Sequence, residues 1–255
     1  MKNILNNSQI PLAVIILAAG KGTRMDSDLP KVLHTIGDLP MISRVVETAK
    51  QLGAERILPI LGYKNDLVKS ALTNYPVEIV LQLQQFGTAH AVMQCTENLK
   101  QFYGNVLILY GDVPLITVNT LSKLLSVHIG NDTKGTILTT DLSDPTGYGR
   151  IIRDENGNLS KIVEENDATQ SERMVKEINS GIYVFKSQTL FNLLPMVGNN
   201  NSQKEYYLPD VLNLILEENG KVSIEKIENY YELQGVNDKE QLNEINEQYE
   251  KYSFF

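Results

Sequence analysis

A continuous apolar run, Ala13-Val14-Ile15-Ile16-Leu17, ends in Ala-Ala-Gly and a polar loop, the pattern of a parallel strand buried on both faces. The periodicity then changes. Pro40 stands where a helix can begin, and Met41, Val45, Val46, Ala49 and Leu52 follow at helical spacing until Gly53 closes the run. Beyond it the pattern predicts a strand over 56–61, a short helix over 66–72, a strand over 77–81, a helix over 90–96 and a strand over 105–110. Thr117 is placed to cap a helix running to about His128, and 135–140 reads as another strand. Strand and helix alternating in this way predict an α/β, Rossmann-like fold: a mostly parallel central sheet with helices on both faces.

After residue 140 the rhythm differs. Apolar stretches at 151–153 and 159–163 flank Asp154-Glu155-Asn156-Gly157-Asn158, a hairpin signal. A strand over 182–185, a helix over 207–218, a strand over 222–227 and a closing helix over 238–252 follow. The closing helix carries Leu242, Ile245 and Tyr249 on one face. No repeat or low-complexity stretch divides the chain, so residues 1–255 are expected to form one domain, with a second lobe, about 141–237, laid on the same sheet as the first, about 12–140.

The formal charge of −8 over 255 residues argues against nucleic acid as a partner, which demands clustered Lys and Arg. Any anionic substrate must therefore meet a local group of cations. One cysteine, Cys95, excludes an intrachain disulfide framework. No apolar run approaches the ~20 residues that span a bilayer. The segment Met1 to Gln9 lacks a long apolar stretch behind a basic head, so it does not read as a secretion signal. A cytoplasmic protein with no membrane contact is expected.

Local positive charge is found directly after the first strand. Leu17-Ala18-Ala19-Gly20-Lys21-Gly22-Thr23-Arg24-Met25, with Pro30-Lys31 close behind, combines small residues that admit a phosphate to the backbone with three cations. The spacing is wrong for a P-loop, and Met25 stands where a dinucleotide fingerprint needs glycine.

This loop resembles the signature of sugar-1-phosphate nucleotidylyltransferases. A series of further motifs occurs in order: Val80-Leu81-Gln82, Gln85-Phe86-Gly87-Thr88-Ala89-His90-Ala91, Tyr110-Gly111-Asp112-Val113-Pro114-Leu115, Asp144 to Arg150, Ile162-Val163-Glu164, Glu177 to Gly181, Glu205-Tyr206-Tyr207 and Gly235-Val236-Asn237. Together they resemble the uridylyltransferase half of the bifunctional bacterial N-acetylglucosamine-1-phosphate uridylyltransferase/glucosamine-1-phosphate acetyltransferase family, over about residues 12–250.

The resemblance implies uridylyl transfer from UTP to N-acetylglucosamine 1-phosphate with Mg²⁺ as cofactor. It implies catalytic roles for Arg24 and Lys31, with Lys21 as a helper. Nucleotide contacts are implied for Leu17, Ala18, Ala19, Gly20, Gln82, Gly87, Thr88, Tyr110 and Gly111. Sugar contacts are implied for Gly149, Glu164 and Asn179, and metal binding for Asp112 and Asn237. A carboxamide at Gln82 can flip to suit uracil or cytosine, so groups near Gly87 must fix the choice. His34, His90 and His128 show no metal-ligand spacing, and His90 reads as structural. Cys95 reads as a core thiol, and Tyr206-Tyr207 and Tyr230-Tyr231 as packing residues.

The pattern departs from the family at two points. The chain stops after its closing helix, where the family continues into a β-helix, so neither acetyltransferase activity nor that domain is expected, and the oligomeric state is left open. Asn166 stands where the family usually has Lys before Asp-Ala-Thr, which leaves other hexose or hexosamine 1-phosphates open as acceptors. A nucleotide-sugar sensor without turnover is the non-enzymatic alternative.

Overall fold

The sheet is built around the apolar runs. In a computed structural model describing residues 10–252, strand β1 (Leu12–Ala18) is buried along its whole length. It pairs in parallel with β4 (Arg56–Leu61) on one side and β6 (Asn105–Tyr110) on the other. Between β1 and β4 lie a two-residue pair, β2 (Thr35–Ile36) and β3 (Leu39–Pro40), and helix α1 (Met41–Gln51). Helix α2 (Asn65–Ala71) then leads to β5 (Val80–Leu81), and helices α3 (Thr88–Met93) and α4 (Thr96–Leu99) precede β6. Helix α5 (Val118–Gly130) leads to β7 (Gly135–Asp141). As predicted, the Thr117 hydroxyl caps α5 by accepting from Thr120 N–H.

The second half adds the hairpin β8 (Arg150–Arg153) and β9 (Leu159–Val163), the short helix α6 (Gln170–Arg173) and strand β10 (Glu177–Lys186). Helix α7 (Ser187–Leu193), helix α8 (Asp210–Glu217), strand β11 (Val222–Lys226) and helix α9 (Lys239–Tyr252) complete it. The main path of the sheet runs β11-β7-β10-β6-β1-β4-β5. β10 alone runs backward in it, antiparallel to both β6 and β7. One apolar cluster, around Ile15, Ile108 and Phe185, covers one face of the sheet, and another, around Val14, Val46 and Leu121, covers the other.

Several boundaries differ from expectation, each for a local reason. The strand expected over 77–81 pairs only at Val80–Leu81. The Ile57 and Leu61 carbonyls accept from Glu78 and Gln82 N–H, but Pro59, midway between them on the same edge, has no N–H to give. The helix expected over 90–96 begins earlier, at Thr88, after Gly87 at φ 111°, and breaks after Met93. There the Thr96 hydroxyl donates to the Met93 carbonyl. The helix expected over 207–218 starts at Asp210, because Pro209 disfavours helical geometry at Leu208. The strand expected over 182–185 is the end of the longer β10.

No helix among the described residues is long and apolar enough to cross a membrane. The segment Met1 to Gln9, read above against a secretion signal, lies outside the described residues.

Candidate active site

Parallel strands deliver their carboxyl ends to one edge, and most of the predicted residues gather there. The loop after β1 is drawn tight by small residues. Gly111 N–H donates to the Leu17 carbonyl at 2.9 Å. A Cβ on Gly22, at φ 60°, would lie 2.5 Å from the Lys31 Cβ, so the glycine loop lies directly against Lys31. Leu17, Ala18, Ala19, Gly20, Lys31, Gln82, Gly87, Thr88, Tyr110 and Asp112 line one cavity of about 250 Å³, joined by Gln85 and Glu205.

At this edge the Lys31 ammonium donates to Asp112 Oδ2, and to Asn237 Oδ1 at 3.0 Å. Both partners of the ion pair are largely sheltered, with side-chain exposures of 13% and 16%. Val236 N–H donates to the Asp112 carbonyl at 2.9 Å, which ties the loop bearing Asn237 to the one bearing Asp112. Arg24 sits apart from this group. It is exposed on a single 3-10 turn, Thr23–Met25, and makes no hydrogen bond or ion pair with the described residues. Its neighbour Met25 packs in the same cluster as Val236, so the turn carrying Arg24 borders the Asn237 loop. Lys21 is likewise exposed.

On the cavity wall Gln82 is 3% exposed. Its Nε2 donates to the Gly87 carbonyl at 3.2 Å and lies 3.0 Å from His90 Nδ1. Gly87 is required by space as well as by φ, since a Cβ there would lie 2.5 Å from the Tyr206 carbonyl oxygen. The Thr88 hydroxyl is engaged by Leu208 N–H at 3.0 Å, which pins α3 to the segment before α8.

Gly149, Glu164 and Asn179 also come together. Asn179 N–H donates to the Gly149 carbonyl at 2.8 Å. Asn179 Nδ2 lies 3.4 Å from Glu164 Oε1, and Asn179 Oδ1 accepts from Gly181 N–H at 2.9 Å and from the Tyr183 hydroxyl at 2.8 Å. The register of β10 against β7 shifts between Asn179 and Tyr183. Gly181, at φ 81°, fills this bulge with no room for a side chain, because a Cβ would lie 2.5 Å from the Tyr110 ring. Burial raises the Glu164 carboxyl pKa, and Asp210 and Asp167 raise it further, against the lowering effects of the Asn179 hydrogen bond and Arg150.

A larger hollow of about 520 Å³ lies elsewhere, lined by Pro114, Leu115, Tyr231 and Tyr249 among others. No sequence-predicted site residue reaches it, so the smaller cavity, where the polar groups converge, is the candidate site.

Residues 13–235 match the nucleotidyl transferase family. The chain belongs to that family. It is 48% identical over 236 residues to a protein of Alkaliphilus metalliredigens named bifunctional protein GlmU, an overlap of 92% of this chain and 51% of that protein. A protein of the same name from Staphylococcus carnosus is 48% identical over 225 residues, 88% of this chain and 49% of that protein. The chain thus spans about half the length of the curated relatives it matches. A UDP-glucose pyrophosphorylase structure complexed with UDP-glucose shares the fold, with a TM-score of 0.75 at 19% identity over 95% of this chain and 99% of that one.

Nucleotidyl transfer between phosphates calls for a divalent cation to offset repulsion. The donor set of this nucleotidyl transferase fits one. Asp112 and Asn237 supply one anionic and one neutral oxygen, and they already converge on a cation, the Lys31 ammonium. Among the described residues no group of three or more His, Cys, Asp and Glu is arranged for a metal.

The sequence reading missed the contribution of Gln85, whose Nε2 donates to the Ala19 carbonyl at 3.1 Å and braces the loop. It also missed the contact of His90 with Gln82, for which the eight-residue spacing gave no signal. Cys95 is fully buried, and burial pushes its thiol pKa up to about 12, as befits a core thiol. Tyr230 and Tyr231 pack ring on ring at 4.1 Å.

Proposed function

We propose that the chain transfers a uridylyl group from UTP to N-acetylglucosamine 1-phosphate with Mg²⁺ and releases pyrophosphate. The observation that carries this reading is the meeting of Lys31, Asp112 and Asn237 at the edge of a cavity whose wall is Gln82 and Gly87. One end is suited to phosphate and a cation, the other to a nucleobase. The family membership and the ordered motifs of the sequence support the same reading.

In this reading the acceptor's phosphate oxygen attacks the α-phosphorus of UTP, and pyrophosphate leaves in line. The residues position two polyanions and offset their charge. Asp112 and Asn237 would hold Mg²⁺, which would offset the negative charge of the phosphate oxygens when bound. Lys31 binds the α-phosphate and the acceptor phosphate, and Arg24 reaches the leaving pyrophosphate from its exposed turn with a planar fork. The small residues Ala18, Ala19 and Gly20 let phosphates approach the backbone beside Leu17. Gln82 offers its Oε1, which takes no hydrogen bond from the described residues, to the base. Glu164 accepts from sugar hydroxyls, Asn179 orients the sugar, and Gly149 leaves space for the N-acetyl group.

Pyrophosphate release measured with UTP, Mg²⁺ and a panel of sugar 1-phosphates tests the proposal. Release that depends on UTP and N-acetylglucosamine 1-phosphate is expected. Release with a different hexose phosphate alone would reassign the acceptor, and no release with any would remove the reading.

A further inference from the structure

We infer that His90 is a positioning residue for base selection, because its Nδ1 holds the Gln82 amide so that only an acceptor faces the cavity. The inference deepens the uridylyl-transfer reading and rests on it. A carboxamide in isolation presents a donor or an acceptor with equal ease. Here both amide hydrogens of Gln82 are spent inside the protein, one on the Gly87 carbonyl at 3.2 Å and one on His90 Nδ1 at 3.0 Å. Gln82 is 3% exposed and lines the cavity. Its Oε1 is the group left over, and it matches the imide N–H of uracil or thymine. Cytosine presents a bare ring nitrogen at that position and would set acceptor against acceptor.

The Gly87 carbonyl can only accept, so it favours the amide nitrogen on its side. The imidazole decides whether that arrangement is complete. A neutral ring has one accepting nitrogen. The amide nitrogen of Gln94 lies 3.3 Å from Nε2 and gives one of its two hydrogens to the His90 carbonyl at 3.0 Å, so its approach to the ring is the longer and weaker of the two. Nδ1, with the shorter contact, takes the acceptor role. A proton on Nδ1 would instead face the Gln82 amide N–H, and relief would come from turning Gln82 over. That turn sets Oε1 against the Gly87 carbonyl and points a donor at the base. The ring is held in place by Phe86, edge-on at 5.2 Å between centroids, and by Tyr206 at 6.5 Å.

The test compares wild type with His90→Phe and His90→Leu, which lack an acceptor, and with His90→Asn, whose side-chain oxygen can replace Nδ1. Dissociation constants for UDP, dTDP and CDP are measured by calorimetry, and kcat/KM for UTP and CTP by pyrophosphate release. In the Phe and Leu variants the uracil-over-cytosine ratio should fall about tenfold or more. The uracil-over-thymine ratio should hold, because both bases carry the imide N–H, and Asn should restore the wild-type preference within about threefold. A general loosening of the cavity would move all three diphosphates together. A folded Phe or Leu variant that keeps the wild-type UDP-to-CDP ratio overturns the assignment, as does an Asn variant that loses the ratio equally. The diphosphate titrations need no turnover, so they test His90 separately. Absence of pyrophosphate release by the wild type would defeat only the uridylyl-transfer reading.

Discussion

Gly149→Ala adds one methyl group at the proposed acceptor pocket and should separate sugar binding from nucleotide binding. The new Cβ would lie 3.0 Å from Glu164 Oε1, 3.2 Å from its carboxyl carbon and 3.3 Å from the Asn179 Cβ. Ordinary contact begins near ~3.5 Å, so one neighbour must yield by about half an ångström. Asn179 cannot, because its backbone N–H and Oδ1 are fixed by Gly149, Gly181 and Tyr183. Glu164 therefore moves, and its 3.4 Å contact with Asn179 Nδ2, already long, is lost. Gly149 is not among the glycines with left-handed φ, so backbone strain does not confuse the comparison. A displaced Glu164 also loses its hydrogen bond to a sugar hydroxyl, and loss of a hydrogen bond to a charged group is worth about 1.5–3 kcal/mol, which is roughly 10- to 100-fold in kcat/KM for the sugar phosphate. The KM for UTP should change by less than about twofold. Initial rates of pyrophosphate release, with each substrate varied at saturating levels of the other, give both numbers. A sugar-phosphate kcat/KM within about threefold of wild type, or an equal rise in the KM for UTP, would refute the reasoning.

Three further outcomes are expected. Asp112→Asn should lower turnover by about a thousandfold while the circular-dichroism spectrum stays native, and more than a tenth of wild-type turnover would contradict the role given to Asp112. Gly181→Ala, which forces a Cβ against the Tyr110 ring at φ 81°, should cost about 2–4 kcal/mol in urea unfolding, and an unchanged midpoint would show that the bulge yields without strain. His128 has a folded pKa lowered to about 4 by burial, with Lys186 adding to the effect and Asp132 opposing it. The folded state therefore binds fewer protons than the unfolded one below the ordinary value of about 6.5. Stability from this group is complete above that pH and is lost as pH falls towards about 4, by up to about 3 kcal/mol. Denaturation midpoints across this window should slope less in His128→Gln, and an equal slope would exclude His128 as the cause.

The strands at 56–61 and 105–110 could be read to the residue, because buried parallel strands leave uninterrupted apolar runs. The short pairing of β5 could not, since it depends on which edge of β4 Pro59 faces. Nor could the reversal of β10, because an apolar run carries no direction. The meeting of Lys31 with Asp112 and Asn237 spans 81 and 206 positions. It was legible only through resemblance to a family, as each residue taken singly reads as a turn or surface group. Arg24 was expected beside these three and stands on an adjoining exposed turn. His90 was read as structural because nothing in its spacing reports what its ring nitrogen touches.

The hairpin of β8 and β9 is paired to the main sheet at one position, Arg150 opposite Ile178, while Asn179 is locked by its bulge. A residue inserted into β10 would turn Asn179 to the other side of the sheet. Exchange of the hairpin keeps the register of the backward strand, provided the replacement retains the Arg153 ion pair with Glu177 and the core side chains Ile151, Leu159 and Ile162. Redesign towards a different acceptor should therefore graft whole hairpins, with Gly149 and Glu164 travelling as a cassette, and keep the strand as a fixed socket.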